Sequence, residues 1–174
     1  MIYLLLGHSG SGKSTIASAL LSRGLNKITT YTTRAPRTSE INGIDYNFIS
    51  LDEFKKMEDS GEFIGTTNYV GNFYSTLKKD FEENYYSKDC VIVVDKEGVV
   101  EIKKEFPKAI CIYLRCSKEV LEERIKKRDD DYNDIKKRLS VLEDLTSYAD
   151  YIVNADRDID TVFEDVLEIV KNTK

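Results

Sequence analysis

Residues 7–14 read Gly7-His8-Ser9-Gly10-Ser11-Gly12-Lys13-Ser14, a complete G-x-x-x-x-G-K-[S/T] pattern, and no other feature of the chain narrows its possible folds so far. The apolar run Ile2–Leu6 precedes it and a helix-like stretch from Lys13 follows, so the pattern sits in the strand–loop–helix context it needs. Glycine lets the backbone wrap an anion, with successive N–H groups and the helix N-terminus turned toward phosphate. The loop from Gly7 to Thr15, including Ser9, Gly10, Ser11 and Gly12, is therefore expected to cradle a nucleoside triphosphate such as ATP. Lys13 is placed to reach its β and γ phosphates, and the Ser14 hydroxyl to ligate Mg²⁺.

The 174 residues suit one domain with a sizeable core and a small insertion. A net charge of −5 argues against a nucleic-acid partner, because no basic face can dominate without clustering. It leaves room for a nucleotide substrate held by a few arginines. Cys90, Cys111 and Cys116 are odd in number and lack metal-site spacing, which fits thiols in a reducing compartment. No stretch approaches the length of a membrane span and no basic leader precedes the first apolar run. A cytoplasmic protein without membrane partners is expected, and its oligomeric state is not readable.

Strand and helix signals alternate along the chain. Strands are expected at Ile2–Leu6, Lys27–Thr30, Cys90–Asp95, Ala109–Leu114 and Tyr151–Val153. Helices are expected at Lys13–Arg23, Gly98–Glu105, Lys118–Lys127 and from near Asp160 to Lys171. This order implies a doubly wound parallel sheet with ligands at the carboxyl ends of its strands. The stretch 34–86 breaks the rhythm. It carries short alternating pieces at Asp45–Ile49 and Phe63–Tyr69 and a helix at Leu51–Ser60. Its turn signals, Asn42-Gly43 and Gly71-Asn72, predict a small antiparallel insertion.

Within that stretch, Thr32-Thr33-Arg34-Ala35-Pro36-Arg37-Thr38-Ser39-Glu40-Ile41-Asn42-Gly43-Ile44-Asp45-Tyr46-Asn47-Phe48 resembles the guanylate kinase signature T-T-R-x-P-R-x-x-E-x-x-G-x-D-Y-x-F at every fixed position. Gly71-Asn72-Phe73-Tyr74 resembles the family's G-N-Y-Y, and Val153-Asn154 its V-N-D near the last strand. The resemblance runs over nearly the whole chain in order. It implies an α/β fold: a P-loop NTPase-type doubly wound parallel sheet (core about 1–33 and 87–174) with a small α+β acceptor-binding insertion (34–86) and a helical lid (124–138). It also implies transfer of the γ-phosphoryl of ATP, with Mg²⁺, to GMP.

The chemistry of the residues agrees. Phosphoryl transfer between nucleotides needs a donor cradle and a separate anion site that holds the acceptor phosphate in line. Arg34 and Arg37 are three apart with Pro36 between them, so two guanidinium forks can converge on one phosphate. The resemblance adds Tyr46 and Tyr74 to that acceptor site, and Asn154 to the ATP site. Arg124-Ile125-Lys126-Lys127-Arg128, followed by Arg138, resembles the kinase lid R-x-x-x-R-G…R-L, whose arginines close over the phosphates. Asp129 stands where that pattern has glycine, and a charged surface helix is the plainer alternative. Asp95 ends a buried strand where the family has D-x-D-x-x-G, which gives it an acceptor-side role; helix capping is its alternative.

Departures fall on the residues that read the base. The resemblance places guanine contacts at Thr30, at the residue after Gly61-Glu62-Phe63-Ile64, and at the first aspartate of D-x-D. The last two are Gly65 and Val93 here. Thr30 and Thr76 offer hydroxyls, but two carboxylates are missing, and a charged hydrogen bond is worth about 1.5–3 kcal/mol. Two other readings therefore stand beside GMP phosphorylation. One is a related kinase with another nucleoside monophosphate or a sugar phosphate as acceptor. The other is a non-catalytic binding module, against which the complete loop with Gly7, Gly12, Lys13 and Ser14 argues.

Overall fold

A computed structural model describes residues 1–69, 71–85, 88–127, 140 and 142–173. The first strand, β1 (Ile2–Leu6), is fully buried along its length. Its side chains alternate between the two faces of a sheet. Tyr3 and Leu5 enter one hydrophobic cluster while Ile2, Leu4 and Leu6 enter another. A strand covered on both faces reads as a continuous apolar run, as parallel central strands do.

Helix α1 (Lys13–Leu21) leads to the short strand β2 (Asn26–Lys27). A second sheet then takes over with β3 (Tyr31–Thr32), β4 (Asn47–Phe48), α2 (Leu51–Asp59), β5 (Phe63–Tyr69), β6 (Asn72–Leu77) and α3 (Lys78–Tyr85). The chain returns to the first sheet with β7 (Cys90–Val93), α4 (Lys96–Glu105), β8 (Ile110–Arg115) and α5 (Lys118–Lys126). A 3-10 turn (Thr146–Tyr148), β9 (Tyr151–Asn154) and α6 (Ile159–Asn172) complete the described residues.

The first sheet has the order β2-β7-β1-β8-β9 with every pairing parallel. Helices α1 and α6 cover the Tyr3 face and α4 the Leu4 face. In α6, Val162, Val166, Leu167 and Val170 are the buried residues, the spacing of a single helical face. The Tyr3 hydroxyl donates to the Val170 carbonyl oxygen at 3.1 Å, tying α6 to the central strand.

The second sheet has the order β4-β3-β6-β5. Here the sequence expectation needs correction. The insertion is mixed rather than antiparallel, because β3 and β4 run parallel while β6 is antiparallel to β3 and β5. Gly43 does adopt φ +80°, but its N–H donates to the Tyr46 carbonyl oxygen at 2.8 Å and closes a local loop instead of a hairpin. The strand expected at Lys27–Thr30 is also split: Asn26–Lys27 joins the first sheet, Tyr31–Thr32 the second, and Thr30 lies between them. A small core of Phe54, Phe63 and Leu77 holds α2 against this sheet. The Phe54 and Phe63 ring centroids are 4.7 Å apart.

Four of the helices begin with a side-chain cap. Ser50, Asp95, Ser117 and Asp158 each accept a backbone N–H at the start of α2, α4, α5 and α6. Helix α1 starts from Gly12 at φ +94° with no side-chain cap. Its leading N–H groups are left for something other than the protein's own side chains.

Candidate functional site

The loop between β1 and α1 is tightly specified. A Cβ at Gly7 would lie 2.5 Å from Ser11 Oγ and 2.9 Å from the Leu114 carbonyl oxygen, so no side chain fits. Gly10 adopts φ +93°, and a Cβ there would meet Ile125 at 3.1 Å. The loop closes on itself through Ser11 N–H donating to the His8 carbonyl oxygen at 3.1 Å. Lys13 Nζ folds back over it and donates to the carbonyl oxygens of Gly7 at 2.5 Å and His8 at 2.8 Å. These donors sit at the mouth of the uncapped helix, where an anion is best stabilised.

The arginine segment follows β3. Arg34 Nη2 donates to Glu40 Oε1 at 2.8 Å, and Arg37 Nη1 lies 3.4 Å from the same oxygen. Glu40 Oε2 accepts the Arg37 backbone N–H at 2.8 Å. Arg34 and Glu40 side chains are only 12% and 13% exposed, so this pair is screened far less than a surface one. Burial pushes the Glu40 carboxyl up, but the Arg34 bond, the Arg37 N–H and both cationic charges outweigh it, and the net shift is downward. Burial likewise works against the Arg34 charge, and Glu40 reverses it. The Arg34 guanidinium also stands 5.3 Å from the Tyr46 ring centroid and 5.6 Å from that of Phe48. Tyr46 and Tyr74 meet edge to face at 6.1 Å. Burial, then the neighbouring Tyr74, raise the Tyr46 hydroxyl pKa despite Arg34, which keeps it a hydrogen-bond donor.

One cleft of about 590 Å³ joins these two parts. On the loop side it is lined by Gly7, Ser9, Gly10, Gly12, Lys13, Ser14 and Thr15. Arg34, Arg37, Tyr46 and Tyr74 line the opposite wall, with Thr30, Thr76 and Asp95 between. Ser11 is buried behind the loop, 2% exposed, and among the described residues its hydroxyl has no hydrogen-bond partner. Asp95 Oδ1 accepts Gly98 N–H at 2.9 Å as the cap of α4 while still facing the cleft.

Besides Ser11, two further expected residues stand apart from the lining. Arg124 Nη1 donates to the Ala155 carbonyl oxygen at 2.9 Å and Nη2 to that of Arg157 at 3.2 Å, clasping the turn after β9. Asn154 is exposed at the end of β9, and its Oδ1 accepts Asp156 N–H at 3.0 Å. Arg128 and Arg138, and most of the expected lid, lie outside the described residues.

Three contributors went unassigned in the sequence. Glu40 was visible in the signature, but its role as anchor of both arginines appears only in three dimensions. His8 Nε2 is 2.8 Å from the Glu143 carbonyl oxygen; burial and then the Lys13 charge lower its pKa from the ordinary 6.5, against the pull of Glu143. Lys96 Nζ donates to Glu143 Oε1 at 2.6 Å and lines the same cleft. These partners are far apart in the chain and carry no local spacing signal.

Mg²⁺ fits this donor set. Among the described residues no three His, Cys, Asp or Glu side chains form a metal cage, and none is needed. Mg²⁺ in phosphate sites keeps waters and takes one or two protein groups plus substrate oxygens. Ser14, exposed at the start of α1 beside Lys13, supplies such a hydroxyl.

A family profile described as guanylate kinase matches residues 1–173. A guanylate kinase from Fusobacterium nucleatum is 34% identical over 98% of this chain and 96% of its own length. One from Cupriavidus metallidurans is 36% identical over 98% of the chain and 81% of the relative. Among solved structures, a guanylate kinase from Anaplasma phagocytophilum superposes with a TM-score of 0.79 at 26% identity, covering 99% of this chain and 85% of that one.

Proposed function

The chain belongs to the guanylate kinase family, and from that membership and the two-sided cleft we propose that it phosphorylates GMP with ATP, giving GDP and ADP. The observation that carries this reading is the single cleft lined both by Lys13 and by Arg34 and Arg37, the two arginines that Glu40 holds together.

The loop and the uncapped N-terminus of α1 take the donor phosphates, and the Lys13 ammonium exchanges its carbonyl partners for β- and γ-oxygens. Arg34 and Arg37, held together by Glu40, grip the acceptor phosphate with the hydroxyls of Tyr46 and Tyr74. Catalysis on this reading is positioning and charge neutralisation, and no strong base is required. Ser14 would hold Mg²⁺, which neutralises charge on the transferring group when bound.

Residues 34–86 and 124–138 are taken as the parts that close over the two substrates, bringing Arg124, Arg128 and Arg138 to the phosphates. Thr30, Thr76 and Asp95 belong on this reading to the acceptor side, and Asn154 to the donor side. Cys90, Cys111 and Cys116 are free thiols, which supports a cytoplasmic location. No described helix is long and apolar enough to cross a membrane.

The test is Lys13→Ala. It should melt like the parent chain while turnover of ATP with GMP falls by about a hundredfold or more; unchanged turnover contradicts the reading.

A further inference from the structure

The chain that joins the two arginines to Tyr46 has little apolar packing to rest on. Residues 41–44 are all exposed, Ile41 at 57% and Ile44 at 59%, so none of these side chains anchors the loop in a core. The loop is nevertheless closed on itself. The Ile41 carbonyl oxygen accepts the N–H groups of Ile44 at 3.1 Å and Asp45 at 2.9 Å, and Asp45 Oδ2 accepts the Ile41 N–H at 2.8 Å. With Glu40 holding Arg34 and Arg37 at one end, residues 40–46 make one hydrogen-bonded unit. Behind that unit is a cavity of about 620 Å³, lined by Lys27, Arg37, Glu40 and Asp45 among others, where a packed core would otherwise support it.

Lys27 spans the gap. It is the last residue of β2, paired with Val91 of β7. The next residue, Ile28, donates its N–H to the Val91 carbonyl oxygen at 3.1 Å, and its side chain is buried. The root of the lysine is therefore fixed to the first sheet. Its Nζ donates to the carbonyl oxygens of Ile44 and of Asp45, the latter at 2.8 Å. Burial lowers the Lys27 pKa from the ordinary 10.5, against the pull of Asp45 and then Glu40. An ammonium partly withdrawn from water is bound more strongly by its carbonyl partners than an exposed one. On the far side of Tyr46, the Asn47 N–H donates to the Thr30 carbonyl oxygen at 2.9 Å, so the unit is tied at both ends.

We infer that Lys27 is a positioning residue for the acceptor phosphate: anchored in the first sheet and gripping two carbonyl oxygens of the loop, it sets the arginine pair at a fixed distance from the sheet that carries Lys13. The inference rests on the kinase reading above. Lys27 touches neither nucleotide in it. The acceptor phosphate meets arginines already in place, so its binding does not have to draw the loop out of the cavity behind it.

The experiment is initial-rate kinetics of the full chain with ATP and GMP for the parent, Lys27→Met and Lys27→Arg. Lys27→Met removes both bonds and should raise the KM for GMP about tenfold, the scale of one hydrogen bond to a charged group. The KM for ATP and kcat should stay within about threefold of the parent, because the donor loop is untouched. Lys27→Arg, whose fork can serve two carbonyl oxygens, should bring the KM for GMP back to within about threefold. An unchanged KM for GMP in Lys27→Met, an equal rise in the KM for ATP, or no recovery in Lys27→Arg overturns the inference. KM is a property of the folded fraction, so a Lys27→Met chain that melts early is read at a lower temperature, with Lys27→Gln as a milder second variant. Absence of turnover with GMP in the parent chain would instead overturn the kinase reading, and this inference with it.

Discussion

Glu40 holds two like charges side by side. Its oxygens reach Arg34 at 2.8 Å and the Arg37 backbone at 2.8 Å, offsetting a repulsion that would otherwise splay the guanidinium groups. Glu40→Gln keeps the shape and removes the charge. The KM for GMP should rise about tenfold, equivalent to ~1.4 kcal/mol, with a smaller change in kcat; an unchanged KM contradicts the role. The pH dependence of stability follows from the same contact. The folded Glu40 pKa lies below the ordinary 4.5, so its contribution is complete above pH 4.5 and drains as pH falls through the lower folded value. The melting difference between the parent and Glu40→Gln should therefore match at pH 7 and pH 5 and shrink only in stronger acid. A difference that vanishes by pH 5 contradicts it. Ser11 is the opposite case, a buried hydroxyl with no partner among the described residues. Ser11→Ala should leave stability unchanged or raise it by about 1 kcal/mol; a denaturation series showing a clear loss would reveal a hidden partner.

At the level of elements, the two sheets meet where β5 passes α4. Gly65 at φ +70° places its backbone against Gly98, with Ile102 beside it. Gly61 has the same φ and open space around it. Gly65→Ala should thus cost more than Gly61→Ala, about 1–3 kcal/mol against roughly 1, in chemical denaturation. Equal costs would mean that the β5–α4 contact carries no constraint. The elements also show what a sequence discloses. Strands β1, β7 and β8 were legible because a strand buried on both faces is apolar throughout. Strands β2, β3 and β4 have two residues each, too few for periodicity, and the parallel pairing of β3 with β4 comes from the path of the chain between them. Helix α3 escaped notice because among its described side chains Phe81 is the fully buried one, which leaves no apolar stripe to detect.

Taken as a whole, the molecule sets the Gly7–Thr15 loop on a parallel sheet and the Arg34–Glu40–Arg37 cluster beside a smaller mixed sheet, the two places where the proposed reaction needs its anions. The cradle was readable because glycine spacing and the flanking strand and helix encode it locally. The acceptor side was readable as a motif, yet its logic was not: Glu40 clamps the arginines, the β5 bulge turns Thr67 inward, and Lys96 meets Glu143 from a distant segment. Each of these depends on chain segments meeting in space. The central claim is that both phosphate sites are filled at once within one cleft. An inhibitor joining adenosine and guanosine through a five-phosphate bridge tests it most directly in initial-rate kinetics. The account predicts competition against both ATP and GMP, with affinity lost in Arg34→Ala; competition against one substrate alone would contradict it.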